Sequence, residues 1–198
     1  MKSINFKRWQ IPNEFIENTI GAEIGVQYGH FAKVLIGKNP KHLYLIDPWL
    51  SQPTRDHATN RPQSEHNEIY EDVKSTFSQL DNCTIIRDTS YDASKQFNDN
   101  FFDWVYIDAL HDYDSVINDL GYWQNKIKDH GFIWGHDYRG PQLKRKSHVQ
   151  VNEAITDFCA NSNWTFIAYT SEKKKDKTAN SYFLSRSEDF QQRLSKYF

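Results

Sequence analysis

Residues 102–138 read FDWVYIDALHDYDSVINDLGYWQNKIKDHGFIWGHDY, and this stretch decides the fold class. A short apolar run ends at Asp108, and another ends just before the closing Gly-His-Asp-Tyr. Between them Val116, Leu120 and Trp123 recur at helical spacing. The pattern predicts a strand, a helix and a second strand. A connection of this kind makes the two strands parallel neighbours.

Polar side chains follow both predicted strands at the point where each ends. Parallel strands end at the same edge of a sheet, and ligands of open α/β sheets bind at that carboxyl edge. Clustered carboxylates and imidazoles are costly unless a metal, a proton transfer or a cationic partner uses them. We therefore expect one site there, built from Asp108, His111, His136 and Asp137.

The rest of the chain alternates in the same way and contains no linker or internal repeat. The predicted strands are 22–26, 43–46, 84–86, 105–107, 132–134, 164–169 and 182–184, and the last two suggest an antiparallel hairpin. The predicted helices are 31–36, 69–77, 93–97, 116–127 and 151–159. The order predicts one domain over residues 1–198, with a doubly wound, mainly parallel α/β sheet. We expect a short helical segment in about residues 1–18 and lid-like loops at 50–66 and 140–147.

Composition narrows the class of protein. A net charge of −2 over 198 residues gives no reason to expect nucleic acid or an anionic membrane as partner. The apolar runs are too short for a membrane span, and the N-terminus is too polar for a signal peptide. Cys83 and Cys159 have no paired spacing. We expect a cytoplasmic protein, and we expect exposed aromatic residues near Phe6 and Trp9 that could form a homo-oligomer contact.

The segment 23–29, EIGVQYG, leaves a strand and enters a helix. Gly25 and Gly29 on either side of Gln27 let a backbone approach a ligand closely. A carboxylate at Glu23 favours a cationic or amine-bearing ligand over the pyrophosphate of a dinucleotide. Asp47 ends the next strand, where an acid can accept hydrogen bonds from both hydroxyls of a ribose, although it can also cap a turn. Together these features indicate a nucleoside ligand.

Four features occur in order along the chain: the glycine segment, Asp47, and the segments IDALHDY (107–113) and GHDY (135–138). Their order and spacing resemble those of the S-adenosylmethionine-dependent methyltransferases of the Rossmann-like class. More narrowly, they resemble the small-molecule O-methyltransferases that include the macrolide-sugar (macrocin-type) enzymes. The resemblance runs from about residue 20 to about residue 184. It implies a seven-stranded sheet with an antiparallel last strand. It also implies that the methionine part of the cofactor lies over the glycine segment, with its ribose on Asp47.

The resemblance also implies roles for individual residues. Thr89 and Ser90 would contact the adenine, and Asp108 would contribute to both cofactor and metal binding. Asp108 and Asp137 match the positions that bind magnesium in metal-dependent relatives, and Mn²⁺ is an alternative ion at this site. His136 would complete this set where the strictest of those relatives carry a carboxylate. His111 matches the general base, and His136 is its rival.

The expected activity is methyl transfer to a hydroxyl oxygen of a small molecule, such as a sugar-bearing metabolite. A nicotinamide-dependent oxidoreductase is one alternative, although the glycine spacing and Glu23 count against it. A non-catalytic nucleoside-binding subunit is another. Asp112 and Asp114 are expected at a helix start, and Asp119 is expected to be solvated or capping.

Overall fold

The structure is a computed structural model, and it describes residues 2–52, 61–138, 150–170 and 180–198. The strands in these segments are β1 Lys2–Ile4, β2 Ile20–Ile24, β3 His42–Ile46, β4 Cys83–Ile86, β5 Phe102–Ile107, β6 Ile127–Tyr138, β7 Thr165–Thr170 and β8 Asn180–Ser185. The α-helices are α1 His30–Ile36, α2 Gln63–Phe77, α3 Ser90–Ser94, α4 Tyr113–Trp123, α5 Val151–Ala160 and α6 Glu188–Ser195. Short 3₁₀ turns span Arg8–Gln10, Asn13–Phe15 and Gln124–Lys126.

The strands form one sheet in the order β1-β7-β8-β6-β5-β2-β3-β4. Only β8 runs against its two neighbours, β6 and β7, and the other described pairs are parallel. The predicted mainly parallel sheet with a reversed last strand is confirmed. The sheet has eight described strands rather than seven, because Lys2–Ile4 adds an edge strand beside β7. Three residues are too few for a periodic pattern to reveal in the sequence.

The register of the central strands aligns their carboxyl ends. Ile24 pairs with both Ile46 and Ile107, and Ile107 pairs with Gly135. The loops after β2, β3 and β5 therefore leave the sheet at one level, and β6 continues past that level to Tyr138. This alignment creates the site described below.

Helices cover both faces of the sheet, as the doubly wound class requires. Along β5, Trp104 and Tyr106 point into a core with α1, α2 and α6. Val105 and Ile107 point into the opposite core with α3, α4 and α5. The alternation follows from the two-residue period of a strand, and it explains why β5 is apolar on both sides.

The N-terminal segment differs from the expected helix. Its two 3₁₀ turns flank Pro12, which lacks a backbone donor and prevents one continuous helix. Phe6 is buried against Phe183 and Tyr197, so it is not the exposed aromatic that we expected. Trp9 is exposed, as expected.

Two other boundaries differ from the sequence predictions. Helix α2 begins at Gln63, so the last part of the predicted lid 50–66 is helical. Its buried residues Ile69, Val73 and Phe77 mark only the C-terminal half, which is why the polar first turns resembled a loop. Helix α6 was not predicted, although Ser187 caps it by accepting from the amide of Phe190.

The predicted lid 140–147 and most of 50–62 lie outside the described residues. In the described segments no helix is long and apolar enough to cross a membrane.

Gly21 and Gly121 give a paired test of this packing. A Cβ at Gly21 would lie 2.1 Å from the indole of Trp104, whereas a Cβ at Gly121 in α4 would meet no atom within 4 Å. Gly21→Ala should lower the free energy of unfolding by about 1–3 kcal/mol through overpacking. Gly121→Ala should raise it by about 0.5–1 kcal/mol, because alanine favours a helix interior. Denaturant unfolding measures both, and a Gly21→Ala variant as stable as the wild type would contradict the packing described.

Candidate functional site

A cavity of about 660 Å³ opens at the carboxyl edge of the sheet. It is lined by residues that follow β2, β3, β4, β5 and β6, together with the first turns of α4 and Arg8 from the N-terminal segment. The lining includes most of the residues singled out in the sequence, namely Glu23, Gly25, Gln27, Asp47, Thr89, Ser90, Asp108, His111, His136 and Asp137.

The two glycines of the segment 23–29 have different roles. Gly25 has φ +91°, and a Cβ there would lie 2.3 Å from the carbonyl oxygen of Asp108. Its absent side chain therefore lets the ends of β2 and β5 meet beside the cavity. Gly29 has φ +70°, and a Cβ there would lie 2.8 Å from Phe77 in α2. Gly29 thus allows the start of α1 to pack closely against α2. The described wall of the cavity does not include Gly29.

Asp47 organises the backbone on its side of the cavity. Its Oδ2 accepts a hydrogen bond from the Gln27 amide at 2.9 Å, and its Oδ1 accepts one from the Trp49 amide at 2.7 Å. Both donors have left-handed backbones, with φ of 49° and 41°. Residues of this size rarely adopt such angles, so the carboxylate offsets local strain. Burial raises the pKa of Asp47 above its ordinary value, and these hydrogen bonds oppose the increase.

Glu23 lies at the floor of the cavity, with 2 % of its surface exposed. Its Oε2 is buried and has no hydrogen-bond partner among the described residues. Burial raises the pKa of Glu23 well above its ordinary value, the charge of Asp108 adds to this, and Arg8 opposes it. A buried carboxyl oxygen without a partner is costly. A cationic group bound in the cavity would satisfy it.

The four polar residues from the ends of β5 and β6 do lie together. His111 Nε2 is 3.4 Å from Asp108 Oδ1 and 3.2 Å from Asp137 Oδ2. His136 Nδ1 is 3.2 Å from the same Asp137 oxygen and 3.8 Å from Asp108 Oδ2. Burial would raise the pKa of Asp108, but the hydrogen bond to His111 and the charges of His136 and Arg8 lower it below its ordinary value. The predicted convergence is confirmed.

Arg8 is a site residue that sequence patterns do not reveal. Its Nη1 donates to Asp108 Oδ2 at 2.9 Å and to the hydroxyl of Tyr106 at 2.9 Å. Its guanidinium carbon lies 5.2 Å from the ring centre of Phe31. Arg8 and Asp108 are 100 positions apart, and a lone arginine in a polar N-terminal segment carries no local signal.

Asp119 was expected to be solvated or capping, and this expectation is wrong. It is 7 % exposed, lines the cavity and shares a hydrogen bond with Ser90. Ser90 Oγ also accepts a hydrogen bond from Trp123 Nε1 at 2.9 Å, so its hydroxyl proton is available to Asp119. Burial raises the pKa of Asp119 to about 6, against the effect of the Ser90 hydrogen bond. Asp112, as expected, caps α4 by accepting from the Ser115 amide.

The donor set can be compared with what a divalent ion needs. The ligand atoms that lie within 4.8 Å of one another belong to Asp108, His111 and Asp137, and His136 is not in this group. Magnesium prefers an octahedron of oxygen ligands. The group offers carboxylate oxygens from Asp108 and Asp137 and a nitrogen from His111, but Asp108 Oδ2 already pairs with Arg8. The residues present therefore do not fit Mg²⁺. Mn²⁺ would be repelled by the same guanidinium of Arg8.

The fold and the site together define a Rossmann-like methyltransferase. A family model described as a methyltransferase domain matches residues 20–138, and the chain belongs to this family. Family and fold support S-adenosylmethionine-dependent methyl transfer as the activity. The narrower similarity to macrolide-sugar enzymes is not confirmed. No curated protein sequence matches the chain.

Solved structures show the same fold at low sequence identity. A methyltransferase from Leishmania major described as SAM-dependent aligns with a TM-score of 0.63 and 14% identity, covering 89% of this chain and 67% of its own. Fibrillarin from Aeropyrum pernix, solved with natively bound S-adenosyl-L-methionine, aligns with a TM-score of 0.63 and 10% identity, covering 89% and 70%. A SAM-dependent methyltransferase from Aquifex aeolicus gives 0.62 and 13%, covering 90% and 89%.

The buried Asp119 predicts a pH-dependent stability. Its pKa is about 6 in the folded chain against an ordinary 3.8, so the folded state favours the protonated form. This contribution is complete below about pH 4 and is lost as the pH rises through 6. The free energy of unfolding of the wild type should therefore fall, relative to Asp119→Asn, by about 3 kcal/mol between pH 4 and 7.

Denaturant unfolding at a series of pH values measures this difference. Asp81→Asn is the matched control, because the side chain of Asp81 is exposed. A constant difference between wild type and Asp119→Asn across the series would show that Asp119 is not buried as described.

Proposed function

We propose that this chain transfers a methyl group from S-adenosylmethionine to a hydroxyl oxygen of a small molecule, with His111 as the general base. The observation that carries the proposal is the position of His111, whose Nε2 lies between two carboxylates at the wall of the cavity. A carboxylate beside one ring nitrogen favours the tautomer in which the other nitrogen accepts a proton. An alcohol does not ionise unaided near pH 7, so such an acceptor is what the reaction requires.

The cavity residues fit the parts of this cofactor. The unpartnered Oε2 of Glu23 suits the ammonium of its methionine part, and Gly25 leaves room for close backbone contact. The lone pairs of Asp47 that its two amides leave unused suit the hydroxyls of a ribose. Thr89 and Ser90 stand at the β4 end of the cavity, where the adenine is proposed to lie.

The cofactor, held by Glu23, Gly25 and Asp47, would supply an electrophilic methyl group and a sulfur atom that keeps the electron pair. The acceptor oxygen would form the new bond to carbon, and its proton would pass to the imidazole of His111. Asp108 and Asp137 then stabilise the imidazolium through Nε2. His136, 3.2 Å from Asp137, is the rival for the same role. No step is assigned to Mg²⁺ or Mn²⁺, because the donor set does not fit them.

We propose a small hydroxylated molecule as the acceptor, and a sugar-bearing metabolite is one candidate. Neither nucleic acid nor a membrane surface is favoured, since a net charge of −2 provides no general attraction to polyanions. A cytoplasmic location and a homo-oligomer remain predictions. The nicotinamide alternative is disfavoured by the buried acid at Glu23. Protection from melting by S-adenosylhomocysteine but not by NAD would separate the two.

Glu23→Gln tests the cofactor site. The amide keeps the shape of the side chain and removes the charge that would bind an ammonium. Affinity for S-adenosylmethionine should fall by about 10–100-fold, the value of one charge-assisted hydrogen bond. The free chain should become more stable at neutral pH, because the costly buried carboxylate is gone. Calorimetric titration and denaturant unfolding measure the two effects.

The opposed directions of these effects make the test specific, since a variant that merely misfolds loses both stability and affinity. Glu17→Gln is the control because Glu17 is exposed. Asp47→Ala should lose affinity together with stability, because two backbone amides lose their acceptor. Unchanged affinity in Glu23→Gln would remove Glu23 from the cofactor site.

His111→Ala tests the base. Turnover should fall by about 10²–10⁴-fold with cofactor affinity almost unchanged, as expected when only a general base is lost. The assay measures release of S-adenosylhomocysteine with a panel of hydroxylated small molecules. His130→Ala is the control, because His130 is 68% exposed beside Asp103 at the opposite end of β5. Full turnover in His111→Ala, with loss in His136→Ala, would transfer the role to His136.

A further inference from the structure

The guanidinium of Arg8 is built into the cluster of acids and imidazoles. It contacts Asp108 and the Tyr106 hydroxyl at 2.9 Å each and faces the ring of Phe31. Its segment lies outside the part of the chain that matches the methyltransferase family, residues 20–138. The cation therefore comes from outside the matched residues.

We propose that Arg8 is the resident cation of this site, that it excludes divalent ions from Asp108, and that methyl transfer here needs no metal. The last part rests on the proposed function, whereas the exclusion of metal does not. Arg8 is a positioning residue in this account, because it acts through Asp108 and not on the acceptor.

Both oxygens of Asp108 already have neighbours. Of the two oxygens of Asp108, Oδ2 receives Arg8 at 2.9 Å and Oδ1 faces His111 at 3.4 Å. A metal bound by this carboxylate would have to displace the guanidinium or lie beside it. A second hydrogen bond holds Arg8 to Tyr106, which is fully buried in the core of the sheet. The Tyr106 hydroxyl also lies 3.4 Å from Asp108 Oδ2, so Tyr106 gives Arg8 a second, buried contact beside the carboxylate that it neutralises.

Arg8 also carries a permanent positive charge into this part of the cavity. Arginine keeps its proton throughout the physiological range, so its positive charge is permanent. Three carboxylates, those of Glu23, Asp108 and Asp137, line this part of the cavity. One fixed cation offsets part of that charge at Asp108. A divalent ion added at the same carboxylate would be repelled at short range, in a partly buried site where screening is weak.

Binding of Mn²⁺ alone tests the proposal without any knowledge of the acceptor. The full chain is titrated with Mn²⁺ and the free ion is followed by its paramagnetic resonance signal. Wild type should leave the signal unchanged. Arg8→Gln should bind one equivalent, with affinity at least about 10-fold above wild type, because the repelling charge is gone. Arg8→Gln combined with Asp108→Asn should lose that binding again.

Two further variants keep the result interpretable. Arg8→Lys retains the charge and should still exclude Mn²⁺, even if its packing is weaker. Lys7→Gln removes a neighbouring cation that lies over Trp9 and should behave as wild type. Tight binding of Mn²⁺ by the wild type that Asp108→Asn abolishes would overturn the proposal. So would an Arg8→Gln variant that folds, as judged by cooperative melting, and still binds no Mn²⁺.

Titration with S-adenosylmethionine distinguishes failure of this proposal from failure of the proposed methyltransferase function. Wild type should bind the cofactor equally well with and without excess chelator, and turnover should persist in chelator. Absence of cofactor binding under both conditions would refute the proposed function and leave the Mn²⁺ result standing. Turnover that disappears in chelator and returns with Mg²⁺ or Mn²⁺ would overturn the metal-free reaction.

Discussion

The alignment of the carboxyl ends of the central parallel strands is the constraint on which the other features depend. Because Ile24, Ile46, Ile107 and Gly135 pair across the sheet, the residues that follow them leave at one level. A slip of one residue would turn the side chains of a strand to the opposite face and would misplace its loop. In β5 such a slip is costly because side chains of very different volume, such as Trp104 and Val105, would exchange places between two close-packed cores.

This alignment brings acidic groups together, and the groups differ in the partners that they have. Asp47 receives two backbone amides, and Asp108 receives Arg8 and the imidazoles. Glu23 has an oxygen that no described residue satisfies. Protein interiors seldom leave such a group without a partner unless a ligand provides one. Glu23, whose buried oxygen has no described partner, is therefore the acid that says most about what the cavity binds.

The N-terminal segment contributes a charged side chain, Arg8, to the site of the matched domain. Ligand atoms of Asp108, His111 and Asp137 lie within 4.8 Å of one another, which is close enough to hold a metal ion. Arg8 adds a permanent positive charge at Asp108 Oδ2 beside these atoms. The segment is held in place by burial of Ile4, Ile11 and Phe15, so its position is set by packing at some distance from the cluster. Sequence outside a matched domain can thus supply a charged group to the site of that domain.

The sequence by itself determined the class of fold and most of the candidate site. Apolar strands that end in acids, with a helical period between them, were sufficient to place Asp108, His111, His136 and Asp137 together. Local periodicity could not show β1, which is too short, or the polar first turns of α2. Only the tertiary structure showed that Asp119 is buried, that Gly29 packs on Phe77, and that Arg8 reaches Asp108 across 100 positions. The reason is physical: periodicity reports which face of an element is apolar, whereas the partner of a buried charge depends on how distant elements pack.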